Sequence, residues 1–168
     1  VTTPALDTLY AMYIGATPPD PELEGQPNQP ATGDDTNTFD DEDLSPSNFL
    51  NPANSLPYPL IATDSTVFRV PVTNNLGKRA TLWAFIDWNG DGQFNGVTET
   101  YQRSVPANYN SNIDFRILIP NIALSDSIGV RVRLTSGNIL DAYGQAPDGE
   151  VEDFMVELRG AEYGDLPD

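Results

Sequence analysis

An all-β fold is predicted by three observations on this 168-residue chain. From Thr66 onward, apolar and polar residues alternate with period two over short runs. Gly, Asn and Asp clusters punctuate those runs, and no segment carries a sustained 3.6-residue apolar period with helix caps. Short, regularly spaced strands of this kind stack as an antiparallel β-sandwich, immunoglobulin-like or jelly-roll-like. A long irregular acidic N-terminal segment precedes it.

That segment comes first in the chain. Arg69 is the first basic residue, and before it lie eleven acids and ten of the fifteen prolines. The prolines from Pro18 to Pro30 exclude helix and central strand, and residues 17–47 have the composition of disorder. Two apolar pieces, residues 9–14 and 58–61, are positioned to anchor the segment to a core. The first strand is expected at residues 67–72, with Pro71 marking an edge or a bulge. Others follow at 80–86, 99–105, 113–119, 128–134 and 151–158. In the fifth, the valines and Leu134 are expected to face inward and Arg131 and Arg133 outward. In the last, Phe154, Val156 and Leu158 share one face.

Composition narrows the chemistry. The chain has no His and no Cys, which removes His-based triads, thiol nucleophiles and metal sites built on nitrogen or sulfur. A metal here must be held by oxygen, as Ca²⁺ or Mg²⁺ is. The net charge of −17 argues against nucleic acid and anionic membranes as partners. No apolar run approaches the ~20 residues of a membrane span, so a soluble chain without membrane insertion is expected.

The carboxylates fall into three groups. Asp87, Asn89, Asp91 and Gln93 lie in the run Asp-Trp-Asn-Gly-Asp-Gly-Gln-Phe, with oxygens at positions 1, 3 and 5 and Gly at 6. That is the front half of an EF-hand calcium loop. Position 12 is Thr98, so the closing acid would be the displaced Glu99, and Asn95 is a further candidate ligand. A plain hairpin turn also accounts for Asn-Gly and Asp-Gly here. The second group is Asp34, Asp35, Asp40, Asp41, Glu42 and Asp43. Carboxylates this dense repel unless they are solvated or neutralised by a cation; a solvated acidic run is the plainer alternative. The third is Glu150, Glu152 and Asp153. Alternation puts Glu150 and Glu152 on the core-facing side, where a partner or a metal is needed, while Asp153 is set to pair with Arg131 or Arg133.

Catalytic readings are thin. Paired carboxylates serve glycoside hydrolysis, but no framed acid/base pair stands out. Trp83, Phe85, Trp88, Tyr101 and Tyr109 lie near one hairpin, and Trp88 is the best candidate for an exposed sugar platform, with a loop anchor as the commoner explanation. One echo closes the reading: Tyr143–Asp148 and Tyr163–Asp168 share the pattern Tyr-Gly-x-x-Pro-Asp.

Taken in order, Gly33–Thr36, Asp40–Asp43, Leu82–Gly92, Val130–Leu134 and Gly149–Phe154 resemble the GEVED domain family. The resemblance covers residues 9–168 and implies a non-catalytic sandwich repeated in tandem within large secreted or cell-surface bacterial proteins. It makes 1–160 one domain, irregular over 1–64, and 161–168 a linker or the opening of a following copy. Two departures stand out: no opening Tyr-Gly-Asp segment near Val1, and the shifted acid at Glu99. One to three Ca²⁺ ions are expected from the carboxylates themselves. The expected partners are neighbouring copies or other extracellular modules, with glycans as a further candidate. The rival functions are a carbohydrate-binding module and a filament subunit joined by strand donation.

Overall fold

The computed structural model describes residues 11–18, 43–96, 98–121, 127–139, 141–144 and 146–159. Asp34, Asp35, Asp40, Asp41, Leu9, Tyr10 and the 163–168 echo lie outside the described residues. Nine strands and one 3₁₀ turn, Pro46–Asn48, are described. In chain order the strands are β1 (Met12–Ile14), β2 (Phe49–Leu50), β3 (Leu60–Ile61), β4 (Ser65–Asn74), β5 (Ala80–Ile86), β6 (Thr100–Val105), β7 (Tyr109–Leu118), β8 (Ser127–Thr135) and β9 (Glu150–Arg159).

The strands form two sheets. In the first, β7 pairs with β4 along its whole length, from Ser65↔Leu118 to Asn74↔Tyr109. A strand has only two edges, so β1 and β2 share the other one, against Val72–Asn74 and Val67–Phe68 respectively. The second sheet runs β3-β9-β8-β5-β6. All pairings are antiparallel except β3 with β9, which is parallel. The sequence-derived sandwich is therefore correct with that one exception. A two-residue parallel contact leaves no periodic trace in sequence.

Pro71 illustrates how the irregular N-terminal part is absorbed. Its carbonyl accepts from the Gly15 N–H at 2.9 Å, so its own nitrogen also faces the edge shared by β1 and β2. It sits where β1 has ended and β2 has not begun, and its missing N–H is not missed. The neighbouring Arg69 carbonyl is met by Asn48 Nδ2 at 3.0 Å. Asn48 belongs to the 3₁₀ turn, which Ser45 caps and Pro46 starts.

The inner faces meet as predicted. Leu82, Ala84 and Ile86 of β5, Val130, Val132 and Leu134 of β8, and Phe154, Val156 and Leu158 of β9 form one buried cluster with Phe68, Val70 and Val72 of β4. Phe49 stacks on Phe68 at 4.5 Å between centroids, and Phe68 reaches Phe154 at 6.1 Å, which ties the two sheets together. Among the described residues no helix is long and apolar enough to cross a membrane.

Candidate functional site

The loop from Asp87 to Glu99 leaves β5 at the end of the second sheet. Asp87 is fixed at its start, because its N–H donates to the Gly129 carbonyl of β8 at 3.0 Å. Its carboxylate is buried and turned into the loop: Oδ1 accepts from Asp91 N–H at 3.1 Å and Oδ2 from Gly92 N–H at 2.8 Å. Asn89 Oδ1 accepts from Asp91 N–H, and Asp91 Oδ1 from Gln93 N–H, both at 2.8 Å. Gly92 has φ +78°, in the left-handed region that a side chain would strain. Phe94 then drops into the structure against Phe85, with centroids 6.1 Å apart. Sequence spacing thus becomes a curled loop whose oxygens are set by its own amides.

Glu99 closes this loop from below. It is only 2 % exposed, and its Oε2 accepts from the N–H groups of Asn95 at 3.1 Å and Gly96 at 2.6 Å. The Glu99 N–H returns to the Gly96 carbonyl at 3.0 Å, so the turn folds the displaced acid back. Burial pushes its carboxyl above the usual range, and the charges of Asp87 and Asp91 push it further; the two amides oppose them. Asn95, the other candidate, donates through Nδ2 to Gln93 Oε1 at 3.3 Å.

The donors are of the type a hard cation takes. All are oxygens, and the Asp87 and Asp91 oxygens that accept one amide keep capacity for a second bond, whereas Glu99 Oε2 is filled by two. Among the described residues no group of three or more acidic side chains meets at metal-ligating separation. The side-chain oxygens that the loop turns inward are those of Asp87, Asn89 and Asp91, each accepting a loop amide.

The second and third carboxylate groups are placed differently. Of the N-terminal acids only Asp43 is described, and its Oδ2 accepts from Ala16 N–H, Thr17 N–H and Thr17 Oγ1, each at 3.0 Å. Glu150 accepts the Ile14 N–H. Both acids therefore hold the chain around β1, close to each other along the backbone of residues 14–17. Glu152 is buried on the inner face. Asp153 pairs with Arg131 as expected, at 2.7 Å from Nε and 2.5 Å from Nη2.

The arginines take the expected face in a setting that the sequence did not show. Arg131 and Arg133 point away from the sandwich core, yet both are buried. A strap formed by the connection from β8 to β9 covers that outer face and packs Ile139, Ala142 and Tyr143 onto Phe85, Phe94 and Trp83. Arg131 donates to the Ala142 carbonyl, and Arg133 to those of Asp141, Tyr143 and Gly144. Burial and the neighbouring Arg131 charge lower the Arg133 pKa from its ordinary value, against Asp141 and Asp153. Tyr143 and Asp148 were not picked as functional residues, yet both anchor the strap. Tyr143 Oη accepts the Phe94 N–H at 3.2 Å, and Asp148 accepts from Thr135 Oγ1 at 2.9 Å and Ser136 N–H at 2.7 Å. They are the first and last residues of the Tyr-Gly-x-x-Pro-Asp echo, which was the signal available.

Trp88 takes the commoner of its two expected roles, the loop anchor. It is fully buried, and its Nε1 donates to Tyr101 Oη at 3.2 Å, so it anchors the loop to the core and offers no sugar platform. Its position continues the inward parity of Leu82, Ala84 and Ile86, and it joins the same buried cluster.

No curated protein matches the chain. The family model described as the GEVED domain matches residues 81–157, from the second residue of β5 into β9. That span holds the Asp87–Glu99 loop, the buried arginines, the strap and the Gly149–Asp153 motif, and over it the chain matches the GEVED domain family.

Proposed function

We propose that the chain is a non-catalytic, calcium-stabilised structural and adhesive module of a bacterial extracellular surface, matrix or fibre protein. The observation that carries the reading is the electrostatics of the Asp87–Glu99 loop. A buried Glu99 is driven toward its neutral form by its own desolvation and by the Asp87 and Asp91 charges. A Ca²⁺ ion beside Asp87, Asn89, Asp91 and Glu99 would remove that conflict, because a bound cation is the largest local charge in such a site. Several other acids hold structure: Asp153 and Asp114 pair with arginines, and Asp148 binds hydroxyl and amide groups. That use of carboxylates supports scaffolding in preference to acid/base chemistry.

Extracellular calcium modules bind at about 10⁻⁴–10⁻³ M, which suits an exterior setting with neighbouring copies or other modules as partners. Isothermal titration of the EDTA-treated chain with CaCl₂ tests the reading. It should give saturable binding in that range, lost in Asp87→Asn and Asp91→Asn. Absence of binding in the parent chain would overturn the calcium reading.

A further inference from the structure

Arg133 is buried, at 2 % exposure, yet among the described residues no carboxylate is bonded to it. Its Nη1 and Nη2 donate to the backbone carbonyls of Asp141, Tyr143 and Gly144. Arg131, one step along the same face, is served differently: the Asp153 carboxylate takes both its Nε and its Nη2. Register explains the contrast. On β9, Asp153 stands beside Arg131, whereas apolar Val151 stands beside Arg133. On its β5 side, Arg133 is the partner of Trp83. The two carboxylates that act on the Arg133 charge have other duties. Asp141 is exposed and takes the Tyr143 N–H at 2.9 Å, and Asp153 holds Arg131.

Two donors are left over at this position. Among the described residues, the buried Nε1 of Trp83 and Nε of Arg133 have no hydrogen-bond partner. Neither nitrogen can accept, so they cannot satisfy each other. Cross-strand partners on one face have Cβ atoms about 4.5–5.5 Å apart, and the strap packs Ile139, Ala142 and Tyr143 over this same outer face. Two adjacent donors, one of them cationic, under a cover call for one group that accepts and carries negative charge. A water would accept without neutralising the guanidinium.

We propose that Arg133 Nε and Trp83 Nε1 together bind a small carboxylate, of formate or acetate size, beneath the strap. The bound group serves Arg133 as Asp153 serves Arg131. The inference goes beyond the calcium reading and does not depend on it.

Sodium formate titrated into the ¹⁵N-labelled chain in EDTA tests the site, against NaCl at the same ionic strength. The chain has two tryptophans and therefore two indole N–H resonances, which Trp83→Phe assigns. The Trp83 resonance should shift saturably with formate. That of Trp88, which donates to Tyr101 Oη, should stay in place. NaCl should move neither. A Trp83 resonance that does not respond to formate after full equilibration overturns the site, and an equal saturable response to NaCl overturns the carboxylate assignment. Arg133→Lys keeps the charge and removes the Nε–H; it should lose the saturable shift with the Trp88 resonance unmoved. Should that variant fail to fold, Trp83→Phe gives the second reading. The rise in melting temperature that formate produces over NaCl in the parent chain should shrink several-fold in it, and an undiminished rise overturns the proposal. With EDTA present throughout, failure here and failure of the calcium reading are separate results.

Discussion

At the scale of single residues, Glu99 is the most informative side chain. Its folded pKa is raised, so the folded state holds the proton more tightly than the unfolded chain does. Its contribution to stability is fully present below the unfolded carboxylate value of ~4.3 and is lost as pH rises through the folded value. In EDTA, the melting temperature should therefore fall across that window. Glu99→Gln keeps an acceptor for the Asn95 and Gly96 amides and removes the charge. It should flatten the EDTA profile while abolishing any rise in melting temperature produced by Ca²⁺. A variant that keeps the full calcium increment would remove Glu99 from the site. The Arg131–Asp153 pair is the second residue-scale case. Both side chains are buried and doubly bonded, so Asp153→Ala leaves a buried guanidinium without its carboxylate. The expected cost is about 3–5 kcal/mol, measured by urea unfolding.

At the scale of elements, the Gly-Glu-Val-Glu-Asp motif is explained by where β9 begins. Gly149 has φ +101°, and a Cβ there would lie 1.7 Å from the Leu134 carbonyl oxygen of β8. Only glycine lets the strap close this tightly onto the sheet. Glu150 then holds β1, Glu152 enters the core side, and Asp153 locks Arg131. Gly149→Ala should destabilise the domain by at least about 1–3 kcal/mol, read from the shift in denaturant midpoint, and a neutral result would refute this account of the motif. The long strands were legible because period-two alternation survives over six or more residues: β5 was found at Ala80–Ile86 without error, and β8 and β9 within a residue or so. β2 and β3 were not legible as strands, since two residues carry no period and their pairing depends on distant partners. Arg131 and Arg133 take the expected outer face, but their burial was not legible for a related reason. Alternation tells which sheet face a side chain takes, but not that a loop returns to cover that face.

At the scale of the whole molecule, the net charge of −17 makes two physical mechanisms compete to explain any effect of added salt. General screening of like charges stabilises a strongly acidic fold in proportion to ionic strength. Specific coordination stabilises it with the logarithm of free ion concentration once that exceeds the dissociation constant. Burial and the charges of Asp87 and Asp91 raise the Glu99 pKa, and under the proposed calcium reading a specific term is expected beside the general one. Mg²⁺ separates them, since it contributes the same ionic strength but demands near-ideal octahedral geometry and dehydrates reluctantly. A loop of carboxylate and amide oxygens suits Ca²⁺ better. Calorimetric melting in matched CaCl₂ and MgCl₂, against NaCl at the same ionic strength, should give the largest rise with Ca²⁺, beginning in the millimolar range and continuing with the logarithm of concentration above it. NaCl should produce a smaller rise that levels off as the surface charges become screened. In Asp87→Asn the two divalent salts should converge on the NaCl curve. If they already coincide in the parent chain, the acidic excess acts only as a diffuse field and the loop is a turn.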